Sequence, residues 1–292
     1  ATAPGVSGRV NVNFSAPAFN GGSAITSYTV TSNPGGFTTN GVSSPITVNG
    51  LTNGVAYTFT VVANNAAGSS AASDASNSAT PFTTPSAPTI GTATAGALSA
   101  SVSFSAPASD GGSAITSYTV TSNPGNITAS GASSPIIVSG LTAGVTYTFT
   151  VTASNAGGVG SASAASNSVI PYTVPGAPTA VSATAGNGQA TVSFTAPASD
   201  GSSTITSYIV TSNPGSITTS GSASPITISG LTNGTAYTFT VVATNAAGNG
   251  SASAASNSVT PVLPAPVATA ATSIGSSSFT ANWGAVDNAS SY

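Results

Sequence analysis

A ninety-residue interval governs this chain. Phe14, Phe104 and Phe194 stand ninety positions apart, and so do Tyr28, Tyr118 and Tyr208. Leu51, Leu141 and Leu231 keep the step, as do Tyr57, Tyr147 and Tyr237, and the prolines Pro81, Pro171 and Pro261. Branched and aromatic residues recur at strand spacing within each repeat, enough of them for each to close a small core of its own. The markers divide the chain into modules at 1–81, 85–171 and 175–261, with the N-terminal part of a fourth at 265–292. In register Ala1 falls opposite Gly91, so the first module is expected to lack the start of its first strand. The 292 residues therefore read as an interior stretch of a longer array.

Inside a module the side-chain period is two. Tyr147, Phe149, Val151 and Ala153 alternate with Thr148, Thr150 and Thr152, the signature of a half-buried antiparallel strand. Val102 with Phe104, Tyr118 with Val120 and Ile136 with Val138 repeat the alternation. Turn residues punctuate these runs: Asp110-Gly111-Gly112, Asn123-Pro124-Gly125, Gly140 to Gly144, and a glycine-rich stretch from Asn155 to Gly160 that is expected to precede a last strand. No segment carries a helical period. About seven short antiparallel strands in a module of this size predict an all-β fold of tandem β-sandwiches.

These residues resemble the fibronectin type III domain, in its bacterial extracellular form. The run Leu141-Thr142-Ala143-Gly144-Val145-Thr146-Tyr147, followed by Phe149, Val151, Ala153, Asn155 and Gly157, is similar to that family's tyrosine corner entering strand F. The same pattern stands at Leu51 to Tyr57 and at Leu231 to Tyr237. The resemblance implies an immunoglobulin-like sandwich in which each tyrosine hydroxyl bonds nearby backbone and pins the crossover between sheets. It also implies a core aromatic on strand B, where Phe14, Phe104 and Phe194 stand in the first three modules and Trp283 in the fourth.

Chemistry is excluded by what the chain lacks. It contains no Cys, no Met and no His, one basic residue (Arg9) and four acids, Asp74, Asp110, Asp200 and Asp287. Serines without a neighbouring base are not nucleophiles, and one acid per module cannot supply a carboxylate pair. Without Cys or His there is no material for a zinc, iron or copper site, and Asp110 and Asp200 read as turn-forming residues rather than calcium ligands. No cofactor is expected and no catalysis. With 2% charged residues and a net charge of -3 there is no basic stripe for nucleic acid, and no run of about 18 apolar residues to enter a bilayer.

Two surface features remain. Thr146, Thr148, Thr150 and Thr152 line the strand face opposite the core, an uncharged face for solvent, for lateral packing or for sugar. Short junctions bounded by proline, 81–85, 171–175 and 261–264, each carry an apolar residue placed to make contacts: Phe82, Tyr172 and Leu263. Each either wedges between neighbouring modules or closes the last strand of its own. Proline removes the slack of a Gly/Ser tether, so the junctions are expected to be semi-rigid. The reading that follows is a non-catalytic structural repeat at an extracellular or cell-surface location: a stalk, surface fibre, sheath or filament. The alternative is an adhesive or carbohydrate-binding spacer in a secreted adhesin or polysaccharide-degrading enzyme. Copies of the chain, neighbouring modules and glycans are the partners either reading calls for.

Overall fold

The computed structural model describes residues 1–272 and 280–283, with side chains through 269 and at 280–281. The fourth-module marker Trp283 has a described backbone, but its side chain lies outside the described residues. The chain divides into two compact units. The first comprises Ala1–Ala95, Ser99–Leu141 and Thr146–Val169; the second comprises Gly96–Leu98, Thr142–Val145 and Ile170–Tyr292.

The first sandwich is built from β1 (Val10–Val12), β2 (Ile25–Asn33), β3 (Thr38–Gly41), β4 (Ile46–Val48), β5 (Thr58–Asn65) and β6 (Gly68–Ser69). One sheet runs β3-β2-β5-β6; the facing layer is the pair β1-β4, extended by a bridge from Thr2 to Asn11. The second sandwich adds a full first strand: β7 (Thr89–Gly96), β8 (Ser99–Ser105), β9 (Ser117–Asn123), β10 (Thr128–Gly131), β11 (Ile136–Ser139), β12 (Thr148–Asn155) and β13 (Gly158–Val159). Its sheets are β7-β8-β11 and β10-β9-β12-β13.

In the second unit the third sandwich repeats this plan. Its strands are β14 (Thr179–Ala185), β15 (Gln189–Thr195), β16 (Ser207–Asn213), β17 (Thr218–Gly221), β18 (Ile226–Ser229), β19 (Thr238–Asn245) and β20 (Gly248–Asn249), in sheets β14-β15-β18 and β17-β16-β19-β20. A further antiparallel pair follows, β21 (Ala268–Thr272) with β22 (Thr280–Trp283). All registered strand pairs are antiparallel, and the fold is an all-β tandem of sandwiches.

The alternating pattern places the core. Along β12, Phe149, Val151 and Ala153 are fully buried while Thr148, Thr150 and Thr152 lie half-exposed on the other face. Facing them, Ala100 and Val102 of β8 and Val138 of β11 are buried, so two inner faces close over one apolar layer. Tilted ring pairs tie the layers together at matching places: Phe14 with Tyr28 at 4.7 Å, Phe104 with Tyr118 at 4.8 Å, and Phe194 with Tyr208 at 4.7 Å.

The last strand departs from the expected period of two. After the two-residue β13 the chain meets β12 only at every third residue: the N–H groups of Gly160, Ser163, Ser166 and Val169 donate to the carbonyls of Ala153, Val151, Phe149 and Tyr147 at 2.8–2.9 Å. Three residues on this edge span two on β12, so a β12 N–H faces no backbone carbonyl at each step. A serine hydroxyl takes that place. Ser163 Oγ accepts from Val151 N–H and Ser166 Oγ from Phe149 N–H, both at 3.0 Å. Ser73 with Ser76 and Ser253 with Ser256 do the same on β5 and β19. The arrangement removes a regular exposed ladder from this sheet edge, which discourages edge-to-edge pairing.

Candidate functional site: a clamped junction

The junctions are the places where the repeat does more than fold. At the start of each, the N–H of a turn glycine holds a proline carbonyl: Gly54 to Pro81 at 3.0 Å, Gly144 to Pro171 at 3.0 Å and Gly234 to Pro261 at 2.9 Å. Two residues later an asparagine takes the next hold. In the first unit Asn155, at the end of β12, donates through Nδ2 to the carbonyl of Thr83 at 2.8 Å, of Asp110 at 2.5 Å and of Ser113 at 3.4 Å. Its Oδ1 accepts from Gly157 N–H at 2.7 Å. In the second unit Asn245 repeats the set, reaching Thr173 at 2.7 Å, Asp200 at 2.7 Å and Ser203 at 3.4 Å. Thr83 and Thr173 answer with their own N–H groups, to Gly111 O at 2.8 Å and Gly201 O at 2.7 Å.

The loop that receives the segment is shaped by glycine. Gly111 has φ +75°, a left-handed conformation, and a Cβ there would stand 2.3 Å from the Thr83 carbonyl oxygen. Gly112 lies against the first sandwich, where an added Cβ would come within 2.4 Å of Gly54 N. Backbone of the first sandwich thus meets backbone of the second directly. Asp110 turns this loop by accepting Gly112 N–H at 2.9 Å, and Asp200 accepts Ser202 N–H at 2.8 Å. Both acids sit in Asx turns. Among the described residues, no group of three or more His, Cys, Asp or Glu could hold a metal ion.

Phe82 and Tyr172 both meet the sandwich that precedes them, the first through its ring and the second through its backbone. The Phe82 ring lies against Gly5, 3.4 Å from where a Cβ would be. Tyr172 pairs with the turn Gly96–Leu98, donating to Gly96 O at 3.2 Å and accepting from Leu98 N–H at 2.9 Å. Leu263 is 36% exposed, and its neighbour Val262 donates to Gly186 O at 3.3 Å. At Phe82 the ring contact is with the residue's own module.

At the other predicted positions, Leu51, Leu141 and Leu231 are buried beside Tyr57, Tyr147 and Tyr237. Tyr57 Oη accepts from Thr52 N–H, and Tyr237 Oη from Thr232 N–H, each at 3.1 Å. Replacing Tyr237 with phenylalanine keeps the ring and orphans a backbone N–H, so it is expected to destabilise the third sandwich by about 1 kcal/mol in residue-resolved urea titrations. Phe104 and Phe194 are buried and Phe14 half-buried. The asparagines Asn65, Asn155 and Asn245 also stand ninety apart, a signal available in the sequence, where Asn155 enters as part of a strand pattern and as the start of a glycine-rich turn.

The family model for the fibronectin type III domain matches residues 2–79, 85–169 and 176–259, more than four-fifths of the chain. The chain belongs to the fibronectin type III family.

No curated protein sequence matches it. Its fibronectin type III modules are similar to solved structures. The FN1–FN3 domains of chicken CNTN1 match at 16% identity over 88% of this chain and 95% of that one, with a TM-score of 0.36. Domains A168–A170 of human titin match at 17% identity over 88% and 100%, with a TM-score of 0.44. Titin kinase with its flanking domains matches at 28% identity over 30% of this chain and 17% of that one, with a TM-score of 0.28. The narrowing to a bacterial extracellular form is thereby corrected, since these matched structures come from vertebrate proteins. The corner and core residues that suggested it report how the sandwich packs, and packing carries no mark of lineage.

Fibronectin type III domains are a non-catalytic structural family, and they occur in tandem arrays. This chain is such an array. No helix of the described residues is long and apolar enough to cross a membrane.

Proposed function

We propose that the array is a spacer in an adhesive extracellular or cell-surface protein, its modules serving to hold neighbouring modules at fixed separation. The observation that carries the reading is the double hold on the junction at Pro81 and Thr83, one bond from each of the two sandwiches it joins, with only Phe82 between. A flexible tether has no such partners along its backbone. The spacer reading ranks ahead of a stalk or filament because these holds lie within one chain and need no second copy. Glycan recognition ranks lower still. Sugar-binding surfaces present aromatic rings in rows, whereas among the described residues the exposed large aromatics are Phe19 and Phe37, both in the first sandwich. The module boundaries that go with this function are 1–81, 85–171 and 175–261, with a fourth from 265, and the tyrosine corners stiffen each module behind its junction.

The chain contains no cysteine, so spin labels can be placed at will. Labels on Asn40→Cys and Ser130→Cys, exposed equivalent positions in the first and second sandwiches, report the junction by pulsed dipolar spectroscopy. The expected distance distribution is no wider than that of two labels within one sandwich. A distribution of tether width would refute the spacer reading.

A further inference from the structure

We infer that Asn49 is a self-modifying site, where the chain exchanges a carboxamide for a carboxylate that faces its one basic residue, Arg9. The step needs only water. Gly50 N gives its proton to solvent and bonds to Asn49 Cγ; Nδ2 takes up a proton and leaves as ammonia, closing a five-membered succinimide. Water then opens the ring, at Cγ to leave aspartate or at the main-chain carbonyl to leave isoaspartate. A glycine in second place leaves the attacking nitrogen unhindered by a Cβ.

Sequence alone does not select the site. Asn-Gly occurs seven times in the chain, and at six of them the fold holds an attacking or an attacked atom. Gly54 N–H is bonded to Pro81 O, Gly234 N–H to Pro261 O and Gly250 N–H to Ala243 O, at 2.8–3.0 Å. Gly188 N–H donates to Asn233 Oδ1 at 2.9 Å, and Asn187 Oδ1 accepts from Asn233 Nδ2 at 2.8 Å. Asn20 is held twice, its Oδ1 accepting from Gly22 N–H at 3.0 Å and its carbonyl from Asn65 Nδ2 at 2.7 Å. Asn40 and Gly41 lie within β3, registered against Thr29 and Tyr28, where extended backbone turns the next nitrogen away from the side-chain carbonyl.

At Asn49 nothing is held. β4 ends at Val48, and Asn49 and Gly50 are both exposed. Neither the Asn49 carboxamide nor Gly50 N–H has a hydrogen-bond partner among the described residues. The exposure belongs to the fold, because the equivalent pairs Ser139-Gly140 and Ser229-Gly230 are exposed in sandwiches with a full first strand.

The strand register adds a cation. Val10 pairs with Val48, and beyond that pair Leu51 N–H reaches Gly8 O at 3.1 Å, so Arg9 stands opposite Asn49. The equivalent places hold Ser99 opposite Ser139 and Gln189 opposite Ser229. Arg9 and Asn49 are both exposed on the outer face, and Cβ atoms opposed in this way stand about 5 Å apart. Negative charge develops on the Gly50 nitrogen and then on the carboxamide oxygen as the ring closes, and a guanidinium across the strand pair stabilises both. The aspartate product gives Arg9 a cross-strand ion pair. The isoaspartate product threads the backbone through the side chain and adds a carbon between β4 and Leu51. Leu51 is bonded to Gly8 and buried beside Tyr57, so this product loosens the corner of the first sandwich.

The test ages the isotopically labelled 292-residue chain at neutral pH and follows each asparagine side-chain amide by NMR. Anion exchange and mass spectrometry read the new carboxylate. In the folded chain Asn49 is expected to convert about ten-fold faster than any other Asn-Gly, the difference that one unbonded N–H makes to a barrier. In concentrated urea, where bonds and register are gone, the seven are expected to convert at like rates. Arg9→Gln, which installs the residue of the third sandwich, is expected to slow Asn49 about three-fold and leave Asn20 unchanged, while Arg9→Lys keeps the rate. Asn49→Ser, the residue of the other two sandwiches, is expected to abolish the early charge gain with the resonances of β1 and β4 in place. The inference is overturned if Asn49 converts no faster than the other six in the folded chain, or if its lead persists in urea. It is overturned as well if Arg9→Gln leaves the Asn49 rate unchanged.

Discussion

Replacing Asn155 with alanine is expected to lower the stability of the second sandwich by about 3 kcal/mol and to loosen the segment ahead of it. The carboxamide is almost wholly buried and serves four backbone groups at once: the carbonyls of Thr83, Asp110 and Ser113 and the N–H of Gly157. A buried group left without a partner costs about 1–3 kcal/mol, and water entering the space left by the side chain recovers part of several such losses. Aspartate at this position keeps the acceptor for Gly157 but turns an anion toward three carbonyl oxygens, so it is expected to do no better than alanine. The chain holds several cooperative domains, so one global melt would blur the effect. Residue-resolved urea titration by NMR separates them, and the labelled pair Asn40→Cys and Ser130→Cys reads the junction in the same variant. Asn65→Ala is expected to cost the first sandwich about 1 kcal/mol, because Asn65 is only half-buried and its partners Asn20 and Ala67 are exposed to solvent. An Asn155→Ala loss under about 0.5 kcal/mol with an unchanged distance distribution would show that the junction is held by something else.

Gly111→Ala is expected to cost the second sandwich about 3 kcal/mol or more, while Gly21→Ala costs the first only about 1 kcal/mol. Both glycines have positive φ, +75° and +69°, so both substitutions carry the strain of a side chain in a left-handed conformation, about 1 kcal/mol. The difference lies in what a Cβ meets. At Gly111 it would stand 2.3 Å from Thr83 O and 2.7 Å from Thr84 O, which are backbone atoms fixed by their own bonds. At Gly21 its nearest neighbour is Asn65 Nδ2 at 3.5 Å, an ordinary contact. Relief at Gly111 requires expelling the segment and with it the hold of Asn155. Gly201→Ala is expected to follow Gly111→Ala, since its Cβ would lie 2.1 Å from Thr173 O. The comparison is made by the same residue-resolved titrations. Equal losses at Gly21 and Gly111 would mean that backbone strain alone matters and that the receiving loop does not grip.

Much of the molecule can be read from side-chain alternation alone. Tyr147, Phe149, Val151 and Ala153, set between threonines, place the core of β12, because successive side chains of a strand point to opposite faces whatever surrounds them. The edge segment after β13 is less legible. Its serines at 163 and 166 look like surface filler until three residues are seen to span two and each hydroxyl stands in for a carbonyl. A pattern rule that assumes a regular ladder cannot anticipate that substitution.

By itself, then, the order of residues determined the all-β class, the ninety-residue spacing of the sandwiches, their family and the lack of catalytic material, all of which depend on local periodicity and composition. The role of Asn155 was decided only in three dimensions. The carbonyl it holds belongs to Thr83, 72 positions earlier, and the loop that completes the clamp lies 42 to 45 positions earlier. Hydrogen bonding and steric contact depend on what the fold brings within about 3 Å, not on what stands next in order.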